Sequence, residues 1–225
     1  MDSGTGDRAV LFADLAGYTA LTEAHGDGHA ADVAGRFASV ASAALAPGAR
    51  VVKTIGDAVM IVAPDCRAGL ETALRLLRAV DDEPTFPGVR GGLEVGPIVE
   101  RGDDVCGATV NLAARLAGHA AVGKLVVSSG VADLVTADDK VTVTALGPTY
   151  LKNVGEPVEL FSIEDDFRTP RTQVMDPVCR MFVDGDDAPA RLPWGDRVWM
   201  FCSFECAQAF SGAPERYSAA GADSA

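Results

Sequence analysis

Apolar positions along the first 164 residues fall into two patterns, short continuous runs and residues at helical spacing. The runs predict strands at about 9–13, 51–55, 58–62, 89–99, 125–128, 141–146 and 158–163. The helical spacing predicts helices at about 29–45, 70–77 and 109–117. Gly56-Asp57 separates two strands as a two-residue hairpin turn with Gly first. This order predicts an α+β fold whose mixed sheet contains an antiparallel hairpin and carries its helices on one side.

The pattern changes near residue 165, which predicts a second, smaller module. Residues 176–217 hold seven of the chain's fourteen aromatic side chains, and the polar stretch before them has no apolar periodicity. We therefore predict a first domain at 1–164, a linker at 165–174, a small domain at 175–218 and a disordered tail at 219–225.

Composition removes several classes of function. Of the 225 residues, 48% are hydrophobic, which is enough for a core, and the formal net charge of −13 argues against binding to nucleic acid. The longest uncharged run, 37–49, is shorter than the roughly 20 apolar residues of a membrane span, so we expect no membrane partner. The start of the chain lacks the pattern of a secretory signal, and we expect a cytoplasmic protein.

Two acidic residues stand where strands are predicted to end. Asp14 follows a buried strand, and Asp57 lies in the hairpin turn. Mg²⁺ is commonly held by one or two carboxylates together with substrate phosphates, so the pair is a candidate metal site. Taken singly, a helix cap at Asp14 and ordinary turn chemistry at Asp57 remain open.

A third candidate group lies on the predicted helix at 109–117. Asn111 and Arg115 are four residues apart and therefore point the same way, an arrangement suited to a phosphate that gains charge in a transition state. A solvated helix face is the alternative. Lysine is rare in this chain, with four against fifteen arginines, and Lys53 and Lys152 both fall in candidate motifs.

Four segments together resemble the catalytic domain of the class III nucleotidyl cyclases, from about residue 9 to residue 163. They are FADLAGYT, KTIGDAVM, DVCGATVNLAAR and YLKNVGEPVELFSI, in the family's order. The resemblance implies a ferredoxin-like mixed sheet with helices and an active site with two Mg²⁺ or Mn²⁺ ions. It implies the following roles: metal binding by Asp14 and Asp57, ribose orientation by Asn111, α-phosphate stabilisation by Arg115 and terminal phosphate binding by Lys152.

The same resemblance bears on the substrate and on assembly. Adenine needs one donor and one acceptor, which Lys53 and Asp104 would supply, so ATP is the expected substrate and GTP the alternative. In the family each active site is shared between two protomers, and this chain carries all the residues for a homodimer. Cys106 departs from the family, where an aromatic residue is usual.

The small module carries three cysteines, Cys179, Cys202 and Cys206, in the spacing C-x22-C-x3-C. Two thiolates one helical turn apart can reach one metal ion. The words DPVC, FCS and PERY resemble the YHS domain, a metal-associated module of the treble-clef type. Zn²⁺ or Cu⁺ is the expected ion, and water, Asp176, Glu205 or a partner's group could be the fourth ligand. Packing of the thiols in an aromatic core is the alternative.

The three histidines His25, His29 and His119 have no spaced ligand partners and are expected at surfaces or helix ends. The whole sequence therefore predicts a homodimeric adenylate cyclase with a tail that responds to metal or redox state. The alternative is a non-catalytic dimer that binds nucleotide or senses metal, or a guanylate cyclase.

Overall fold

The computed structural model describes residues 6–167 and 173–218. Within these residues the strands are β1 (Asp7–Leu15), β2 (Arg50–Ile55), β3 (Ala58–Ala63), β4 (Phe86–Pro87), β5 (Val89–Pro97), β6 (Val99–Arg101), β7 (Asp104–Cys106), β8 (Leu125–Ser128), β9 (Val141–Thr149), β10 (Val158–Asp165), β11 (Val174–Met175), β12 (Met181–Val183), β13 (Ala190–Trp194) and β14 (Arg197–Phe201). The helices in the same part of the chain are α1 (Tyr18–Ala43), α2 (Cys66–Asp81), α3 (Ala108–His119), α4 (Ser129–Ala132), α5 (Phe204–Gly212) and α6 (Pro214–Ser218).

The chain divides into two compact units that do not follow the sequence in simple order. The first unit takes the described residues of 1–14, 37–80 and 89–169, and the second takes those of 15–36, 81–88 and 170–225. The second unit therefore combines the aromatic-rich C-terminal residues with residues 81–88 and with α1 up to Arg36. The predicted tail at 219–225 and residues 168–172 of the predicted linker lie outside the described residues.

A seven-stranded mixed sheet forms the centre of the first unit, in the order β2-β3-β1-β5-β8-β10-β9. β5 and β8 are parallel, whereas β1 with β3, β2 with β3 and β10 with both of its neighbours are antiparallel. The predicted mixed sheet is confirmed, including the hairpin, in which Ile55 pairs with Ala58 across the Gly56-Asp57 turn. Gly56 has φ 62°, the conformation for which glycine is preferred in such a turn.

Helices cover both faces of this sheet, so the predicted single helical face is wrong. A Cβ on Gly92 of β5 would lie 2.1 Å from the backbone nitrogen of Ala117, which places α3 directly on the sheet. A Cβ on Gly69 of α2 would lie 3.0 Å from a methyl carbon of Leu93. Gly92 and Leu93 are successive residues of one strand and point to opposite faces. Periodicity within a helix shows that it has a buried side but not which face of the sheet receives it.

Helix α1 begins eleven residues before the predicted start at about His29. Gly26 has φ 81° and ψ 165°, values that interrupt the helix and leave a short first segment before a longer second one. Two glycines so close together, Gly26 and Gly28, are typical of a turn, which explains why the helix is predicted to start later than it does. None of the helices in the described residues is both long enough and apolar enough to cross a membrane.

The second unit has a small aromatic core. Its strands form a three-stranded sheet in the order β11-β12-β4 and the hairpin β13-β14. Phe201 and Phe210 are fully buried, and Trp199 lies 4.9 Å from Phe210 between ring centroids. Five of the seven aromatic side chains that marked the second module in the sequence thus form one cluster around α5: Trp194, Trp199, Phe201, Phe210 and Tyr217.

Candidate active site

The carboxylates of Asp14 and Asp57 are brought together at one end of the sheet. In the antiparallel pairing of β1 with β3, Asp14 lies opposite Ala58, the residue next to Asp57. Asp57 is half-buried, and this burial, reinforced by the negative charge of Asp14, raises its pKa. Two carboxylates that repel each other in a partly desolvated site favour a bound cation.

Arg90 is a member of this group that the sequence analysis did not find. Its Nε lies 2.7 Å from Asp14 Oδ1 and its Nη2 lies 3.2 Å from Asp14 Oδ2, so the guanidinium contacts both oxygens. Arg90 sits in β5, which neighbours β1 in the sheet. The signal available in the sequence was a charged residue next to apolar and glycine residues in the segment VRGGL. The positive charge of the Arg90 guanidinium therefore offsets the negative charge of the Asp14 carboxylate.

Lys53 and Asp104, the predicted base-reading pair, are in direct contact. Lys53 Nζ lies 2.7 Å from each carboxylate oxygen of Asp104, and the backbone N–H of Val105 donates to Asp104 Oδ1 at 2.8 Å. The hydrogen bond from Lys53 holds the pKa of Asp104 below its usual value. A register shift between Val51 and Lys53 marks a bulge in β2 just before the lysine. Both side chains remain about half exposed, within reach of a ligand.

The other predicted site residues are held on well-anchored elements with their side chains free to meet a ligand. Asn111 and Arg115 are exposed on α3, whose opposite side is buried through Ala113 and Leu116. Lys152 is exposed in the loop between β9 and β10 and follows the buried Leu151. The structure thus joins Asp14 with Asp57 and Lys53 with Asp104, and it leaves these three side chains directed to solvent.

The oxygen donors at Asp14 and Asp57 fit a hard divalent cation. The pair offers carboxylate oxygens without thiol or imidazole, which is the chemistry that Mg²⁺ and Mn²⁺ select. Cys106, the departure from the family pattern, is exposed at the end of β7, and its Sγ lies 3.7 Å from the carbonyl oxygen of Val99. Its position leaves the Lys53–Asp104 contact intact.

A second group of possible metal ligands lies in the second unit. The thiols of Cys179, Cys202 and Cys206 are brought together, as predicted from their spacing, and His25 joins them, with all four ligand atoms within 4.8 Å of one another. The prediction that His25 stands alone is therefore wrong. Its partners follow it by more than 150 residues, so no local spacing reveals them.

Two of the predicted fourth ligands, Asp176 and Glu205, are not in this group of four. Asp176 is fully buried and accepts hydrogen bonds from the backbone N–H groups of Val178 and Cys202, each at 2.8 Å. Its carboxylate orders the cysteine-bearing turns rather than facing a metal. Hydrogen bonds from Cys179 and Cys202 lower the pKa of the Cys206 thiol, whereas donation within the cluster and burial raise the pKa of the Cys179 and Cys202 thiols.

The chain is similar to a described protein family and to several known proteins. Residues 3–165 match the family described as the adenylate and guanylate cyclase catalytic domain. A pH-sensitive adenylate cyclase of Mycobacterium tuberculosis is 37% identical over 157 residues, which cover 68% of this chain and 40% of that protein. An adenylate cyclase of Glutamicibacter nicotianae is also 37% identical, over 156 residues that cover 68% of this chain and 39% of that protein.

Solved structures give the same picture for the fold. A structure of adenylate cyclases from Trypanosoma brucei in their monomeric state is similar with a TM-score of 0.63 at 23% identity, over 72% of this chain and 93% of that one. The chain spans about two fifths of the length of the two curated relatives.

Proposed function

Because the chain belongs to the family of adenylate and guanylate cyclase catalytic domains, we propose that it is an adenylate cyclase, which converts ATP to 3′,5′-cyclic AMP and pyrophosphate. The observation that carries the proposal is the contact of Lys53 with Asp104, in the unit that also brings the carboxylates of Asp14 and Asp57 together. Two relatives that are 37% identical are named adenylate cyclases, which supports the same substrate.

The choice of ATP rests on hydrogen-bond polarity. Lys53 offers a donor for N1 of adenine, and Asp104 offers an acceptor for the 6-amino group. Guanine presents the opposite polarity at these two positions and would leave both protein groups unpaired, which is costly in a site built to bind them. The ion pair between Lys53 and Asp104 holds both side chains in place until a base separates them.

Asp14 and Asp57 would hold two Mg²⁺ or Mn²⁺ ions. When bound, such ions lower the pKa of the ribose 3′-hydroxyl and neutralise charge on the triphosphate. Arg90 would release Asp14 to the ions and place its guanidinium beside the incoming phosphates, where a planar cation suits phosphate oxygens. The same residue would thus offset the charge of Asp14 when no ion is bound and add positive charge beside the phosphates when ions and substrate are bound.

Asn111, Arg115 and Lys152, together with the base-reading pair Lys53 and Asp104, would complete the site from a second copy of the chain. Asn111 orients the ribose, Arg115 stabilises the charge that develops on the α-phosphate as pyrophosphate leaves, and Lys152 binds the terminal phosphates. Their exposure on α3 and on the loop before β10 supports a role that a partner protomer satisfies. The proposed assembly is a homodimer with two equivalent shared sites.

Cys179, Cys202 and Cys206 would bind a soft or borderline metal ion, Zn²⁺ or Cu⁺, and through it modulate the enzyme. Their thiols lie in one cluster, with 3.4 Å between the sulfurs of Cys179 and Cys202 and 3.7 Å between those of Cys202 and Cys206. The domain boundaries at 164 and 175, and the resemblance to the YHS domain, stay predictions.

The test of the enzyme is nucleotide turnover by the full chain, with ATP and GTP offered separately in Mg²⁺ or Mn²⁺. We expect cyclic AMP from ATP, and a loss of about 100-fold or more in Asp57→Ala, because that change removes a metal carboxylate. Asp104→Ala should reduce the preference for ATP over GTP about tenfold or more. The exposed neighbour Asp103 provides the matched control, Asp103→Ala. A folded chain that cyclises neither nucleotide would contradict the proposal, and cyclic GTP alone would contradict the assignment of Lys53 and Asp104.

A further inference from the structure

The thiol cluster of the second unit contains an imidazole from a distant part of the chain. His25 lies in the first segment of α1, next to the interruption at Gly26. Its Nε2 lies 3.4 Å from Cys202 Sγ and 3.5 Å from Cys206 Sγ. An imidazole nitrogen aimed at two sulfurs offers a fourth ligand that the cysteine spacing alone does not supply.

These separations agree with tetrahedral coordination of a single ion. Zinc–sulfur bonds of about 2.3 Å and zinc–nitrogen bonds of about 2.0 Å at tetrahedral angles place two sulfurs about 3.8 Å apart and a sulfur and a nitrogen about 3.5 Å apart. The sulfur–sulfur separations of 3.4 Å and 3.7 Å are close to the first value. The two nitrogen–sulfur separations match the second. Four of the six separations in the group are therefore those expected around one ion, and all four atoms lie within 4.8 Å of one another.

A disulfide does not explain the cluster. Bonded sulfurs lie about 2.05 Å apart, whereas the sulfurs of Cys179 and Cys202 are 3.4 Å apart and all three thiols are free. Ordinary packing of small apolar side chains does not explain it either, because packing gives no reason for an imidazole nitrogen to point at two sulfurs. The group is chemically a ligand set.

The surroundings hold these ligands in position. Cys179 and Cys206 are buried, and Cys202 and His25 are partly exposed, which leaves an entry path for an ion. Asp176 binds the backbone N–H groups at Val178 and Cys202. Ser203 caps α5 by accepting from the N–H of Cys206 at 3.1 Å. Each cysteine thus sits on a turn or helix end whose backbone is fixed by a side chain.

We propose that His25 is the fourth ligand of a metal ion bound by Cys179, Cys202 and Cys206, in a closed tetrahedral site of the kind that takes Zn²⁺. The inference rests on the proposed metal binding by the three cysteines and deepens it. Three sulfurs and one nitrogen favour Zn²⁺, because Cu⁺ is satisfied by thiolates alone. The ion joins the C-terminal cysteines to the helix that follows Asp14 in the chain.

The test is anaerobic titration of the reduced full chain with Co²⁺, followed by competition with Zn²⁺ in the presence of a chelator. We expect stoichiometric binding, with the visible bands of tetrahedral Co²⁺ and thiolate charge-transfer absorption. His25→Ala should weaken Zn²⁺ binding about tenfold or more and change the Co²⁺ spectrum, because a protein ligand is lost. His29→Ala is the matched control, since the two rings are 5.1 Å apart and His29 is outside the ligand set.

A second variant separates ligation from a general effect on folding. His25→Cys replaces the nitrogen donor by a sulfur donor, so it should restore tight binding and shift the Co²⁺ spectrum towards four thiolates. Equal affinity and equal spectra for His25→Ala and His29→Ala would overturn the role of His25 while leaving the cysteine site standing. If the unmodified chain binds no metal, the proposed cysteine site is wrong as well. The proposed adenylate cyclase activity is tested separately, by measuring cyclic AMP.

Discussion

Glu94 is a buried carboxylate in β5 that is incompletely hydrogen-bonded. Oε1 accepts from the backbone N–H of Val95 at 3.2 Å, and Oε2 has no hydrogen-bond partner among the described residues. Burial raises the pKa of this group, opposed by hydrogen bonds from Ser128 and Val95. A carboxyl whose pKa is raised by folding favours the folded state when it is protonated, and this contribution is lost as the pH rises through its folded pKa.

Glu94→Gln should therefore stabilise the protein at pH 8, by about 1 kcal/mol in the free energy of unfolding, because it removes a buried charge and keeps the shape. The gain should shrink as the pH falls towards the ordinary pKa of glutamate, where the unmodified side chain is protonated as well. Urea unfolding at several pH values measures both effects. The exposed Glu159 supplies a control, since Glu159→Gln should change little at any pH. A destabilised Glu94→Gln at pH 8 would show that the ionised carboxylate is needed.

Asp176 holds the turns that carry two of the proposed metal ligands. We expect Asp176→Ala to destabilise the folded protein by about 2 kcal/mol, because backbone N–H groups at Val178 and Cys202 lose their acceptor while remaining largely buried. Thermal unfolding of the reduced chain without metal measures this cost. Asp196→Ala, in the exposed turn of the β13-β14 hairpin, is the comparison. Equal unfolding temperatures for the two variants would argue against a structural role for Asp176.

At this scale the sequence predicts residues whose partners are near in the chain and misses those whose partners are remote. Cys202 and Cys206 lie one helical turn apart, and Asp57 lies in a recognisable hairpin turn, so local rules found them. Arg90 and His25 acquire their roles only when distant strands and helices meet. Their immediate neighbours carry no spacing that distinguishes them from surface residues.

At the scale of elements, Gly92 fixes the position of α3, which carries Asn111 and Arg115. A Cβ at this position would meet backbone atoms of α3, at 2.1 Å from the nitrogen of Ala117 and 2.5 Å from the oxygen of Ala113. Backbone atoms cannot move aside as a flexible side chain can. We therefore expect Gly92→Ala to displace the helix.

Gly92→Ala should lower the free energy of unfolding by about 1–3 kcal/mol, as overpacking in a core does. It should also reduce kcat, because two proposed site residues move with the helix. Gly118→Ala is the matched control, since a Cβ there meets nothing within 4 Å and alanine favours the helix. Urea unfolding and steady-state kinetics of both variants give the comparison. Unchanged kcat in a folded Gly92→Ala chain would show that α3 does not position the site.

Most elements of the sheet follow from the sequence because each buried strand is a short apolar run with its own stop signal. The strand predicted at 89–99 is instead β5 and the separate β6, divided after Pro97, which has no backbone N–H to continue the ladder. The sequence did not predict the start of α1 or the presence of helices on both faces of the sheet. Both depend on contacts between elements, which periodicity within one element does not record.

At the scale of the whole molecule, a shared active site predicts complementation between inactive variants. Asp14→Ala and Arg115→Ala should each be inactive alone, since in the proposed arrangement opposite protomers contribute these groups to one site. After subunit exchange, half of the dimers in an equal mixture are heterodimers with one intact site, so about a quarter of the unmodified activity should return. Cyclic AMP production after mixing measures the recovery.

Asp14→Ala mixed with Asp57→Ala provides the internal control. Both residues come from the same protomer in the proposed arrangement, so every site in that mixture lacks one carboxylate and no activity should return. Recovery in both mixtures, or in neither after confirmed exchange, would contradict a site divided between protomers in this way.

The contact between His25 and the C-terminal thiols also bears on biosynthesis. Cys202 follows His25 by 177 residues, so the imidazole leaves the ribosome well before the thiols it contacts. At a synthesis rate of about 5–20 residues per second this interval is about 10–35 seconds. All strands of the central sheet after β1 are synthesised within it, before Cys206 exists. The contact between the first segment of α1 and the C-terminal thiols is therefore a late step of folding. A nascent chain interrupted after β10 would contain every predicted cyclase residue but none of the three cysteines that His25 contacts.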